Sequence, residues 1–197
     1  MDYTQELLHR EIEAYLQHIN FAYNCYEAYN ELHCINETNN DLLNISAGFF
    51  TITRFALSKC LLIETAKLFC GSGDERTIQK LINIAKSNNK LFESNNAQLL
   101  CERVSLAIAT KFAVTIKKIK ARRDQDLSHN DPLFFYGDIN PSEENYISPK
   151  EIENILTVGF DFCVELLECL SIDKQVVLTR GADDLGNLID IVKAKNK

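Results

Sequence analysis

Apolar residues recur at helical spacing through most of the chain, and polar stretches cut that pattern into segments. Leu8, Ile12, Tyr15, Ile19, Ala22, Tyr26 and Tyr29 trace one face of a helix over residues 3–34. Asn36 to Asp41 reads as a polar connector, and a second helix is expected from Asp41 to Cys70. Between Phe49 and Phe69 that helix is apolar nearly all round, which predicts a place at the centre of a bundle. Arg54 and Glu64 interrupt it and are expected at a solvated edge. Gly71-Ser72-Gly73 ends it, since glycine accepts the left-handed caps that other residues resist. Asp74 is then placed to cap a short helix through Lys86. Ser87 to Asn96 is an asparagine-rich loop with room for one turn near Leu91 and Phe92.

From Ala97 the pattern predicts one long helix ending before Pro132, because a residue preceding proline is pushed out of helical geometry. At ~100° per residue, Val104, Ile108, Phe112, Ile116 and Ile119 fall in a sector of roughly 120°. Carried forward, that sector or its margins receive Arg122, Arg123, Asp126 and His129, whereas Lys117, Lys120 and Asp124 point elsewhere. A core-facing stripe that turns ionic is costly unless its charges are paired or wetted. This conflict between local pattern and burial makes Lys117 to Pro132 the candidate site. Residues 132–147 make a long loop with aromatics that can lie across it. Ser148-Pro149-Lys150-Glu151 then starts a helix through Leu170, with a capping box and with Ile147 and Ile152 positioned as a hydrophobic staple. Val176 to Leu178 reads as an extended or bridging segment before a short terminal helix near 183–194.

Seven Gly and three Pro are little punctuation for 197 residues, which favours long helices in one domain over many short strands. The net charge of -7 argues against a protein that coats nucleic acid wholesale. It leaves room for a local basic site, since five of the seven residues 117–123 are Lys or Arg. The seven cysteines are odd in number and show no Cys-x-x-Cys spacing, so reduced core thiols in a cytoplasmic protein are expected, not a disulfide frame or zinc site. No basic region followed by an apolar core opens the chain, so no signal peptide is expected. No apolar run approaches ~18–20 residues, so no membrane span is expected either. Glu6-x-x-His9 matches the spacing of di-iron bundles, but those need a second copy that the sequence lacks, so no metal or cofactor is assigned. His18 and His33 read as surface or boundary histidines, and the five tyrosines of the first helix read as packing residues.

An arginine and a histidine near a basic surface suit a phosphodiester. Arginine offers a planar fork of donors to phosphate oxygens and keeps its charge. Histidine takes or gives a proton near neutral pH. RNA supplies its own nucleophile, the 2′-hydroxyl, so cleavage to a 2′,3′-cyclic phosphate and a 5′-hydroxyl needs no metal in principle. His129 would move the proton, Arg122 or Arg123 would stabilise charge on the phosphate, and Asp126, Asn130 and Asp131 could orient them. Lys117, Lys118 and Lys120 would receive neighbouring phosphates. On a straight helix Arg122 and His129 lie within about 20° of each other, while Arg123 and His129 diverge by about 120°. The competing reading is a basic helix end with a capping histidine and surface ion pairs.

The run Arg123-Asp124-Gln125-Asp126-Leu127-Ser128-His129 resembles the signature of the HEPN superfamily, an arginine followed by four to six residues and a histidine, commonly with a polar residue directly after the arginine. His129-Asn130-Asp131, Phe50-Thr51-Ile52-Thr53-Arg54 and Ala66-Lys67-Leu68-Phe69 are similar to its abortive-infection, AbiU-like branch. The resemblance implies an all-α, HEPN-like antiparallel bundle of four to five long helices plus short ones. It implies a homodimer that brings two signatures to one cleft. It also implies metal-independent RNA cleavage in phage defence or toxin–antitoxin systems, with an antitoxin protein as a further partner. Arg123 and His129 occupy the signature positions and Asp124 the polar one; Arg122 is added by the helix geometry alone. Some members carry a tyrosine two residues after the histidine that a partner nucleotidyltransferase modifies; here that position is Asp131. The alternative within the resemblance is a non-catalytic module that binds RNA or a protein.

Overall fold

The stripe traced by Leu8, Ile12, Tyr15, Ile19 and Ala22 is buried along its whole length, which makes α1 (Gln5–Thr38) the rod against which the others pack. In this computed structural model, the described residues are 3–38, 46–71, 76–93, 95–124 and 141–170. The remaining elements are α2 (Ala47–Phe69), α3 (Ile78–Ser87), a 3₁₀ turn (Asn89–Leu91), α4 (Asn96–Ala109), α5 (Ala113–Arg122), α6 (Pro141–Glu144) and α7 (Pro149–Cys169). Among the described residues there is no strand, and the fold is an all-α bundle. The expected segments at 176–178 and 183–194 lie outside the described residues.

The long helices run antiparallel. His18 lies 3.8 Å from Glu64, and further along α1 Cys25 meets Cys60, so residue numbers rise in opposite directions on α1 and α2. The same holds for α1 and α7, where the Tyr26 hydroxyl donates to Glu153 at 3.0 Å and the Tyr23 hydroxyl lies 2.5 Å from that of Thr157. Tyr23 also meets Phe160 edge-on, with ring centroids 6.5 Å apart. Tyr23 and Tyr26 therefore serve packing, with polar tips at the seams. Arg103 of α4 grips Glu165 of α7 at 2.6 Å. Gly159 sits where three helices crowd α7. A Cβ there would come 3.1 Å from the Phe69 ring and 3.5 and 3.6 Å from Ile19 and Ile78. Only glycine lets these side chains meet without displacement.

Local signals set the element ends. At α7 the Ser148 hydroxyl accepts from the Glu151 N–H at 3.2 Å, while Glu151 accepts from the Ser148 N–H at 2.9 Å. Ile147 and Ile152 beside it are both buried. Replacing Ser148 with Ala is expected to cost about 1 kcal/mol, read as a lowered denaturation midpoint. At α3 the cap is Thr77, whose hydroxyl accepts from the Lys80 N–H at 3.2 Å, and the helix begins at Ile78. The expectation that Asp74 caps it is thus overturned, because the buried stripe Ile78, Leu81, Ile82 and Ala85 begins directly after Thr77, four residues beyond Asp74. A short α6 also occupies part of the segment expected to be loop.

Two larger expectations change. The pattern from Ala97 onward is two helices. Thr110 bonds back to the Leu106 carbonyl through both its N–H (3.0 Å) and its hydroxyl (2.7 Å). The Phe112 N–H then reaches the Ala107 carbonyl, one residue beyond the α-helical step. A threonine bonded this way bends a helix, and here the ladder breaks before α5 restarts. Second, α2 is central only along its later half. Leu61, Leu62, Thr65, Ala66 and Leu68 are buried, whereas Phe49, Ile52 and Phe55 are exposed.

Candidate functional site

The candidate stretch falls at the end of α5. Thr115 and Ile119 bury one face of this helix against the bundle, which turns Lys117 and Lys120 outward to solvent. Lys118 is half-buried and reaches Glu151 at 3.5 Å, where Thr115 also donates at 3.4 Å. The Ser148 N–H holds the Glu151 carboxyl below its ordinary range, with the Ser148 hydroxyl and the Lys118 ammonium acting in the same sense. Lys118 therefore ties α5 to the start of α7, and of the three lysines Lys117 and Lys120 are the exposed ones.

Arg122 is the last residue of α5, and the chain widens into a π-type turn at residues 123 and 124. The regular helix assumed in placing His129 on the same face as Arg122 thus ends at Arg122 itself. Arg122 is half-buried, with its Nε withdrawn from solvent. Asp126, His129, Asn130 and Asp131 lie outside the described residues.

Arg123 has well-defined surroundings. Its Nε and Nη2 each donate to Asp124 Oδ1 at 2.7 Å, and its Nη1 donates to the Cys70 carbonyl at 3.1 Å. Cys70 caps the C-terminal end of α2, where carbonyls lack helical partners and a cation is favourable. The Cys70 thiol returns a contact to the Ile116 carbonyl at 3.6 Å. Burial pushes that thiol up to about 11, against the pull of the nearby Arg123 guanidinium, so it stays protonated at neutral pH. The two contacts latch the end of α5 to the end of α2.

Beyond this latch Arg123 forms part of the wall of a cavity of about 640 Å³. Residues of α1 and of the buried half of α2 line it as well, together with Arg76. His18 and Glu64 stand 3.8 Å apart on it, and Glu64 is also held by Lys67 at 2.6 Å. Glu64 is buried, contrary to the solvated edge expected for it, because the Lys67 ammonium at 2.6 Å offsets the loss of water. His18 is exposed as expected, but it lies on the cavity's rim. Pattern alone does not single out Tyr15, His18, Glu64 or Arg76. A signal exists within α1, where Glu11, Ala14, Tyr15 and His18 fall at i, i+3, i+4 and i+7 and so share a face. His9, by contrast, is buried and pairs with Glu13 at 3.3 Å.

The family model HEPN_AbiU2, described as AbiU2, matches residues 5–188. The chain belongs to the HEPN AbiU2 family. No curated protein and no solved structure matches it. In this HEPN AbiU2 chain Arg123 lies at the junction of α5 and α2 and lines a cavity. No helix among the described residues is long and apolar enough to cross a membrane.

Proposed function

We propose that this HEPN AbiU2 chain is a metal-independent endoribonuclease, acting as a single domain over residues 1–197 in the cytoplasm. The observation that carries the reading is Arg123: a signature arginine, followed by a carboxylate, whose fork is fixed in direction at the edge of an open cavity. A pre-set guanidinium of this kind can meet a phosphate without first being ordered. In this reading His129 deprotonates the 2′-hydroxyl or protonates the leaving 5′-oxygen, and Arg123 stabilises charge on the phosphorane oxygens. Arg122 is a second source of positive charge. Asp124 positions Arg123; Asp126, Asn130 and Asp131 are assigned to orient the imidazole. Lys117 and Lys120 track the strand.

A homodimer would bring two such stretches together. The exposed apolar residues Phe49, Ile52 and Phe55 support association, since such patches mark contact surfaces. A phage-defence or toxin–antitoxin setting follows from the family resemblance. One observation favours the alternative, a non-catalytic RNA-binding or protein-interaction module: Arg123 spends donors on Asp124 and Cys70, as a structural arginine would.

Incubation of single-stranded RNA with the protein in excess chelator separates the two. Cleavage with 2′,3′-cyclic phosphate ends, blocked by a 2′-deoxy residue at the cut, is the expected result. Intact RNA under all conditions supports the module.

A further inference from the structure

The seam between α1 and α2 carries a pair of thiols that no step of RNA cleavage uses. Cys25 of α1 is 5% exposed, Cys60 of α2 is half-buried, and both are free. Two observations bring them together. The first is register. His18 meets Glu64 at 3.8 Å across this seam. Cys25 lies seven residues beyond His18 and within about 20° of it around α1. Cys60 lies one turn before Glu64 on α2. On antiparallel helices both cysteines therefore fall on the same side of the His18–Glu64 contact, each on the face turned to the other helix. The second observation is direct: the two thiols share a hydrogen bond. Ala22, fully buried one turn before Cys25, puts only a methyl group into this stretch of the seam. Sulfurs that already touch need only a short approach to the bonded distance of about 2.05 Å, and small neighbours leave room for it.

The two sulfurs differ in access. Burial, then the neighbouring Cys60 and Glu64, push the Cys25 thiol up to about 12, so it rests protonated and does not start a reaction with oxidant. Cys60 sits at the edge of the core, where a small oxidant reaches it first. We propose that Cys60 and Cys25 form a reversible redox site, in which a peroxide oxidises Cys60 and Cys25 resolves it to a disulfide that joins α1 to α2. In the first step the Cys60 sulfur attacks hydrogen peroxide. An S–O bond forms, the O–O bond breaks, and the departing hydroxide leaves as water with the thiol proton. The product is a sulfenic acid. In the second step the Cys25 sulfur attacks the Cys60 sulfur. The S–S bond forms, the S–O bond breaks, and a second water carries away the Cys25 proton. The pair loses two electrons and the peroxide gains them. A thiol reductant reverses the bond by exchange and leaves as its own disulfide. The bridge closes a loop over residues 26–59 and staples the two helices while oxidant is present. Glu64, one turn beyond Cys60, lines the cavity described above, so the staple also fixes that wall.

The test uses the full chain, treated under native conditions with a small molar excess of hydrogen peroxide and then alkylated with iodoacetamide. Five of the seven cysteines are expected to alkylate, the intact mass to fall by two hydrogens before alkylation, and the peptide map to join Cys25 to Cys60. Dithiothreitol should restore all seven. The oxidised chain is expected to melt ~5–10 °C above the reduced one, since a bridge across a long loop restricts the unfolded chain. In Cys25→Ala the reaction should stop at a Cys60 sulfenic acid that dimedone labels, with no rise in melting temperature. Cys60→Ala should give neither bridge nor label at this seam. The map of the wild-type chain decides the matter even if a variant fails to fold. Cys101 and Cys169 also interact, across α4 and α7, so the map must tell the two pairs apart. Native oxidation that leaves Cys25 and Cys60 alkylatable, that stops at a Cys60 sulfenic acid in the wild type, or that joins Cys101 to Cys169 instead overturns the inference. None of these outcomes depends on whether the protein cuts RNA.

Discussion

Arg123→Ala is expected to slow RNA cleavage by roughly 10²–10³-fold, the usual cost of losing one donor to a developing oxyanion. The substitution also removes the bond to the Cys70 carbonyl, worth about 1 kcal/mol of stability, so a melting curve must accompany the rate. Arg123→Lys separates the contributions. Lysine keeps the charge near the end of α2 but cannot present the planar fork that Asp124 orients through two nitrogens. Under the ribonuclease reading Arg123→Lys melts close to the wild type and still loses most activity. A variant that folds normally and cuts at the wild-type rate would remove Arg123 from the reaction.

The largest effect on stability is expected at Phe162. This ring is 1% exposed in the middle of α7, among the largest side chains fully enclosed by the bundle. Phe162→Ala is expected to cost about 3–5 kcal/mol through lost apolar burial and the cavity left behind. That is a third or more of the total stability of many domains, roughly 5–15 kcal/mol. The denaturant midpoint should fall with the slope of the transition unchanged. Leu99→Ala makes the contrast: Leu99 is 63% exposed, and the change should stay within about 0.5 kcal/mol. Equal effects at the two positions would mean that α7 is not the core helix described.

How far the chain could be read in advance depended on the range of the forces involved. The start of α7 is legible because Ser148 and Glu151 satisfy each other within one turn. The buried stripe of α1 is legible because five apolar positions keep one period over four turns. The break between α4 and α5 is hidden, since Ile108, Phe112 and Ile116 continue the apolar rhythm straight across it. The two halves of α2 look alike in sequence, and which half is covered depends on the elements that pack against it. At the site, Arg123 and Asp124 are visible as neighbours in the chain. Their setting is not, because Cys70, Arg76, Glu64 and His18 arrive from three other segments. Only the shared face of Glu11, Ala14, Tyr15 and His18 on α1 gives a local trace of the cavity.

The central claim is that one guanidinium and one imidazole act together on the same linkage. Cleavage rates for the wild type, Arg123→Ala, His129→Ala and the double variant, all in chelator, test it in one cycle. Groups that work as a unit are grossly non-additive, so the double variant is predicted to be no slower than the worse single variant. Two single variants that each cut RNA as fast as the wild type would contradict the account.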